Sequence, residues 1–161
     1  MNRFIRTLVT LAWGLWLGGL VMLFIALQSL FDTFSARRDL AGEAASGMFR
    51  RFAFYRLGLA AAALGLTFLW RIADKSRATV VAFSFFTLAT LAAVYSVGVL
   101  TPQIERLRMQ SQTHSAQFTH LHALSMGVYL LETLFVFCAG LTLHLNHGAD
   151  KQTRASQLTG M

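Results

Sequence analysis

His122, Ser125, Tyr129 and Glu132 follow one another at intervals of three, four and three residues. At about 100° per residue they fall within roughly 80° of one another on a helix. An imidazole, two hydroxyls and a carboxylate on one stripe can bind a cation, relay a proton or hold a polar ligand. The stretch around them, THLHALSMGVYLLETLFVFCAGLTL at 119–143, is otherwise apolar and long enough to cross a bilayer. An ionisable residue at bilayer depth is costly, which makes Glu132 a candidate functional group. It has two readings: a proton or cation site, or a protonated carboxyl bonded to a neighbouring helix. His122, about one turn inside the interface, reads as a ligand, a relay or a packing histidine.

Other side chains gather towards the same membrane face. Tyr95, Ser96 and Thr101 close the third apolar segment on the side of His122. Arg56 is the one basic residue inside the apolar segments, and its place near the start of the second sets it closer in depth to His122 than to Glu132. The candidate ligand-binding or proton-relay set is therefore His122, Ser125, Tyr129, Glu132, Tyr95, Thr101 and Arg56. No catalytic residue is assigned, because no Gly-rich phosphate loop, HExxH, Ser-His-Asp or CxxC pattern is present.

Metal and cofactor signals are thin. His120 lies two residues from His122, about 200° around a helix, so the two cannot chelate together. His144 and His147, three apart, are weak metal candidates at the opposite rim. All five histidines lie within 114–147, on or beside one helix, which argues against a haem held by two histidines. Haem held by one histidine, or by a methionine such as Met22, stays open. The six methionines are scattered and Cys138 is the single cysteine, so neither a copper cluster nor an intramolecular disulfide is indicated. The sequence itself requires no cofactor.

These residues need elements to hold them. The 161-residue chain is 55% hydrophobic and 13% charged, against about 25% charged in soluble domains. With 14 phenylalanines and a mean hydropathy of +0.54, lipid is the expected solvent. Four apolar segments, about 7–31, 52–70, 79–100 and 119–143, each approach the ~20 residues that span a bilayer as helix. The first is too long for a signal-peptide core and reads as an uncleaved helix. Residues 32–51 read as an amphipathic helix lying at the interface. The expected fold is all-α and integral to the membrane: an antiparallel four-helix transmembrane bundle over 1–147 with that interfacial helix between the first two spans, and a polar, disordered tail at 148–161.

Trp13, Gly14 and Gly18 on the first segment, and Pro102 after the third, are the expected helix-packing residues. Gly14 and Gly18 have the small-xxx-small spacing that lets two backbones approach, inside this bundle or across a homo-oligomer seam. Gly58, Ala62 and Gly65 give the second segment a similar small face. Pro102 either begins a new helical turn or kinks a continuing helix.

The net charge of +7 does not point to nucleic acid, because the basic residues flank apolar spans and no aromatic-plus-basic platform is visible. Anionic lipid headgroups are the expected partner. One face collects seven basic residues (Arg3, Arg6, Arg71, Lys75, Arg77, Lys151, Arg154) and the other six (Arg37, Arg38, Arg50, Arg51, Arg106, Arg108). That is a slight lean towards cytoplasmic termini in a bacterial inner membrane.

Ala12-Trp13-Gly14, Ala41-Gly42, Met48-Phe49, Thr101-Pro102 and Phe118-x-x-Leu121-His122-x-x-Ser125 occur in this order. Together they resemble the transmembrane protein 205-like family, classed as a domain of unknown function (4149), over about residues 7–135. The family is similar in outline to copper-resistance D-type membrane domains and to four-helix protoporphyrinogen oxidases. The resemblance implies a four-helix membrane protein without an established reaction, and it singles out Trp13, Gly14, Thr101, Pro102, His122 and Ser125. Tyr129 stands where relatives tend to carry Asn, and Glu132 is not part of the family pattern. The oxidase relatives carry a histidine in their first helix, and the first segment here has none.

The leading expectation is a non-enzymatic module that binds or moves a small solute or ion. The alternatives are a haem- or quinone-linked oxidoreductase, and a membrane scaffold or assembly factor using the glycine face of the first helix.

Overall fold

A computed structural model describes the backbone over residues 2–159 and the side chains over 4–143. The side chains of His144 and His147, and those of the 148–161 segment, lie outside the described residues.

The chain forms α1 (Asn2–Thr33), α2 (Arg38–Ala73), α3 (Arg77–Tyr95), a π-helical turn (Ser96–Leu100), α4 (Thr101–Met109) and α5 (Ala116–Thr159). No strand occurs among the described residues. α3, the π turn and α4 run on as one apolar stretch. The four stretches long and apolar enough to cross a membrane are thus Phe4–Thr33, Arg38–Ala73, Arg77–Met109 and Ala116–Leu143. The protein is a multi-pass integral membrane four-helix bundle. α1 packs on α2, α2 on α3, α3 on α5 and α5 back on α1.

Small residues make close approach possible. Ala60 and Ala63 on α2, Ala89 and Ala93 on α3, and Ala139 on α5 are all buried. Larger anchors fill what remains: Trp16 stacks on Phe86 with ring centroids 6.2 Å apart. Phenylalanines and leucines cover the outside, as a lipid-facing surface requires.

The expected interfacial helix is not a separate element. Residues 38–51 are the first turns of α2, which continues to Ala73 without a break. Its 36 residues measure about 54 Å, well beyond the ~30 Å of hydrocarbon. Nothing between 38 and 73 stops a helix: proline is absent, and the glycines are tolerated because tertiary packing outweighs propensity. This continuity sets the depth of Arg56, which lies near the middle of α2.

Two local devices set the register of the site. Pro102 lacks an N–H, and its ring clashes with the carbonyl four residues back in a regular helix. The turn before it widens, and the Thr101 N–H donates to Ser96 O. The Thr101 hydroxyl donates to the same oxygen at 2.9 Å. Pro102 thus begins a new helical stretch, α4, in its first turn. After α4, Ser111 adopts φ 58°, the left-handed conformation that closes a helix. The Gln112 N–H then reaches back to Leu107 O at 2.9 Å. Ser115 caps the start of α5 by accepting from the Phe118 N–H at 3.1 Å, which fixes the phase of His122 and the residues after it.

Candidate functional site

Four helices meet at Glu132. On α5 it is fully buried, and its Oε1 accepts a hydrogen bond from Trp16 Nε1 of α1 at 3.1 Å. Its Oε2 lies 3.4 Å from Arg56 Nη1 of α2, with 4% and 0% of the two side chains exposed. That pair is close enough to be ionic but is not aligned as a hydrogen bond. Arg56 Nη2 donates to Ala93 O of α3 at 3.3 Å. Burying two charges is expensive, and the mutual attraction offsets the cost only when geometry and further hydrogen bonds are good. Trp16 and the Ala93 carbonyl supply those further bonds.

The sequence expectation for Arg56 is corrected here: it sits at the depth of Glu132, not near His122. The offset comes from reading the second helix as starting near residue 52, when it starts at Arg38.

Beyond the pair, towards the chain termini of α1 and α5, the interior is closed by Trp16, Phe86, Ala63 and Val136, each fully buried. On the other side lies a cavity of about 280 Å³. Arg56 and Tyr129 lie at its deep end, and Ser46, Glu105 and Arg108 on its rim. Ser96, Thr101, His122 and Ser125 contribute polar groups between them, and Phe24, Phe49 and Phe52 contribute apolar wall. At the rim the Ser46 hydroxyl bonds to the Glu105 carboxylate, and Arg108 Nη1 lies 3.8 Å from the same carboxylate.

Of the sequence candidates, His122, Ser125, Tyr129, Thr101 and Arg56 all line this one cavity. His122 is exposed at its edge, with its ring parallel to Phe118 at 6.1 Å between centroids. Tyr129 is buried, and its hydroxyl donates to Leu20 O of α1. Glu132 lies behind Arg56 and reaches the cavity only through it.

Tyr95 is not part of the site. It is 42% exposed and points outward. The buried row of the third helix is Ala89, Ala93, Ser96 and Leu100. Tyr95 is two residues from Ala93, about 200° around the helix.

The helix-packing candidates divide. Trp13 donates Nε1 to Val136 O of α5 at 2.8 Å. It lies so close to Gly140 that a Cβ there would overlap the indole. Gly14 and Gly18 do not pack inside this bundle: both are exposed, and a Cβ on either would meet open space. The cause is again a spacing of two, since each is two residues from buried Trp16 and so faces away from the core. Gly58 and Gly65 are open in the same way. Gly19, by contrast, lies against Tyr55 and Phe52.

Four important side chains escaped the sequence reading: Trp16, Ser46, Glu105 and Arg108. Trp16 carries a recognisable signal, because Val9, Ala12, Trp16, Leu20 and Leu23 form a helical stripe and an indole N–H on a buried stripe needs an acceptor. Ser46 and Glu105 come together only through tertiary packing.

Among the described residues, no group of three or more His, Cys, Asp or Glu could hold a metal ion. Met22 is 63% exposed and does not line the cavity.

The chain belongs to a family classed as a domain of unknown function, DUF4149, whose model matches residues 11–113. The match spans α1 to α4 and so includes Trp16, Arg56 and the π turn; the Phe118–Ser125 motif and Glu132 lie beyond it. No curated protein and no solved structure matches the chain.

Proposed function

We propose that this protein is a membrane module that binds a small molecule in the cavity between α1, α2, α4 and α5, and that it is not an enzyme. The observation that carries the reading is the junction of the cavity with the Arg56–Glu132 pair. A concave site with mostly apolar walls and a few convergent polar groups is the usual form of a small-molecule pocket. Its deep end has a charged group, Arg56, held by two other helices through Glu132 and the Ala93 carbonyl, so it is preorganised without the ligand. The closed core around Trp16 and Phe86 favours binding over a continuous polar path for ions.

The same proposal sets the protein in a bacterial inner membrane with both termini cytoplasmic, on the slight excess of basic residues flanking that side. Anionic headgroups would meet the basic residues that flank the spans, Arg37, Arg38, Arg50 and Arg51 among them.

Photolabelling tests the binding reading. The purified protein in nanodiscs is irradiated with a small phenyl diazirine and the adducts are mapped by mass spectrometry. Labels concentrated on Phe49, Phe52 and Met126, and competed by excess unreactive analogue, are expected. Labels confined to outer residues such as Leu11 and Leu91 would overturn it.

A further inference from the structure

The guanidinium at the deep end of the cavity has donors to spare. An arginine carries five N–H groups in a planar fork. Among the described residues Arg56 makes one aligned hydrogen bond, from Nη2 to Ala93 O, and its Nε has no partner. The ion pair to Glu132 balances its charge without completing its hydrogen bonds. Unpaired donors on a buried charged group are costly, and an acceptor from the cavity that met the guanidinium, with a small shift of the side chain to open the enclosed Nε, would relieve that cost.

Two of the neighbouring hydroxyls are already committed, while those of Ser96 and Ser125 remain available beside it. Tyr129 donates to Leu20 O, and Thr101 donates to Ser96 O. Arg56 is the charged donor at the deep end, and its Nε is unpartnered.

Charge decides which acceptor suits it. Arg56 and Glu132 already sum to zero. A carboxylate or phosphate would place a second negative charge beside Glu132 in a low-dielectric interior, where like charges repel strongly. A neutral oxygen acceptor adds a hydrogen bond and leaves the balance intact. Around it, Phe24, Leu27, Phe49, Phe52 and Met126 offer an apolar and largely aromatic wall. We infer that the cavity takes a small, neutral carbonyl compound with an apolar body, its oxygen accepting from the Arg56 guanidinium and its body lying among these side chains. This rests on the cavity-binding reading above.

The full-length protein in nanodiscs is titrated with three probes of similar size: butyrophenone, butylbenzene and 4-phenylbutyrate. Each is corrected for partition into empty nanodiscs. Butyrophenone is expected to saturate at one per chain and to bind about tenfold more tightly than butylbenzene, which is the worth of one hydrogen bond from a charged donor. 4-Phenylbutyrate should bind more weakly than the ketone. The resonance of a 13C-labelled carbonyl should move downfield on binding. In an Arg56→Gln, Glu132→Gln double variant, which removes both charges together, the ketone should lose its advantage over the hydrocarbon. If that variant does not fold, the order of the three probes on the unmodified protein and the carbonyl shift decide alone. Tightest binding by the carboxylate, or equal binding of ketone and hydrocarbon, would overturn the carbonyl class and leave the cavity reading standing. Saturable binding by none of the three would bring down both.

Discussion

Arg56 and Glu132 meet 3.4 Å apart at the centre of an otherwise apolar bundle, one from α2 and one from α5. Neither charge would be tolerated alone at that depth, so each accounts for the other's presence. Trp16 from α1 and the Ala93 carbonyl from α3 complete the knot. The pair therefore joins all four spans as well as closing the deep end of the cavity.

Removing one partner should cost far more than removing both. Arg56→Met leaves a buried carboxylate without its cation, and a loss of roughly 3–5 kcal/mol is expected. Arg56→Met combined with Glu132→Gln should recover most of it. Thermal or denaturant unfolding in detergent, arranged as a double-mutant cycle, reads the coupling. Additive losses would show that the pair does not act as a unit.

The glycines should divide by face rather than by motif. Gly140→Ala drives a methyl into the Trp13 indole and should destabilise by about 1–3 kcal/mol. Gly14→Ala and Gly18→Ala enter open space, and a change within about 0.5 kcal/mol is expected for each. Melting of the three variants side by side checks this. A large loss at Gly14 or Gly18 would mean that the outer face of α1 is covered in the intact protein.

The indole of Trp13 should matter through its N–H as well as its bulk. Trp13→Phe removes the donor to Val136 O and keeps most of the apolar contact. A loss of about 1 kcal/mol is expected, the usual worth of one such bond, the Val136 carbonyl keeping its place in the backbone ladder of α5. Trp13→Ala adds a cavity and should cost about 3–5 kcal/mol. Equal losses from the two variants would remove the hydrogen bond from the account.

Much of the fold was legible because lipid imposes a coarse rule: long apolar runs become helices. The four spans follow from hydropathy alone. What hydropathy does not report is rotation about a helix axis. Tyr95 sits two residues from buried Ala93 and faces the opposite way from the sequence expectation; Gly14 and Gly18, each two residues from buried Trp16, face outward and so do not pack inside the bundle, which is one of the two expectations for them. Arg56 lies deeper than the hydropathy pattern implies for a related reason. The polar residues 38–51 ended the apolar run, but they did not end the helix. The cavity lining was easier to find: His122, Ser125 and Tyr129 share a helix face, and Thr101 closes the third span. The rim contact of Ser46 with Glu105 joins residues 59 apart in sequence, and no local pattern announces it.

Cavity residues should differ from core residues in chemical access. In a Cys138→Ser background, Ser125→Cys faces the cavity and should react with a small neutral maleimide. Ala63→Cys, in the closed core, should not. Equal rates at the two positions would mean that the cavity is not reachable, or that the core is not closed.

The central claim is that the chamber above Arg56 and Glu132 holds a small molecule. Native mass spectrometry of the protein released from detergent tests it most directly, with the unmodified chain compared against Ser125→Trp, which fills the chamber. One bound small molecule per chain on the unmodified protein, absent from Ser125→Trp at an unchanged melting temperature, is the expected result. The same bound mass on both would contradict the claim, because the molecule would then lie elsewhere.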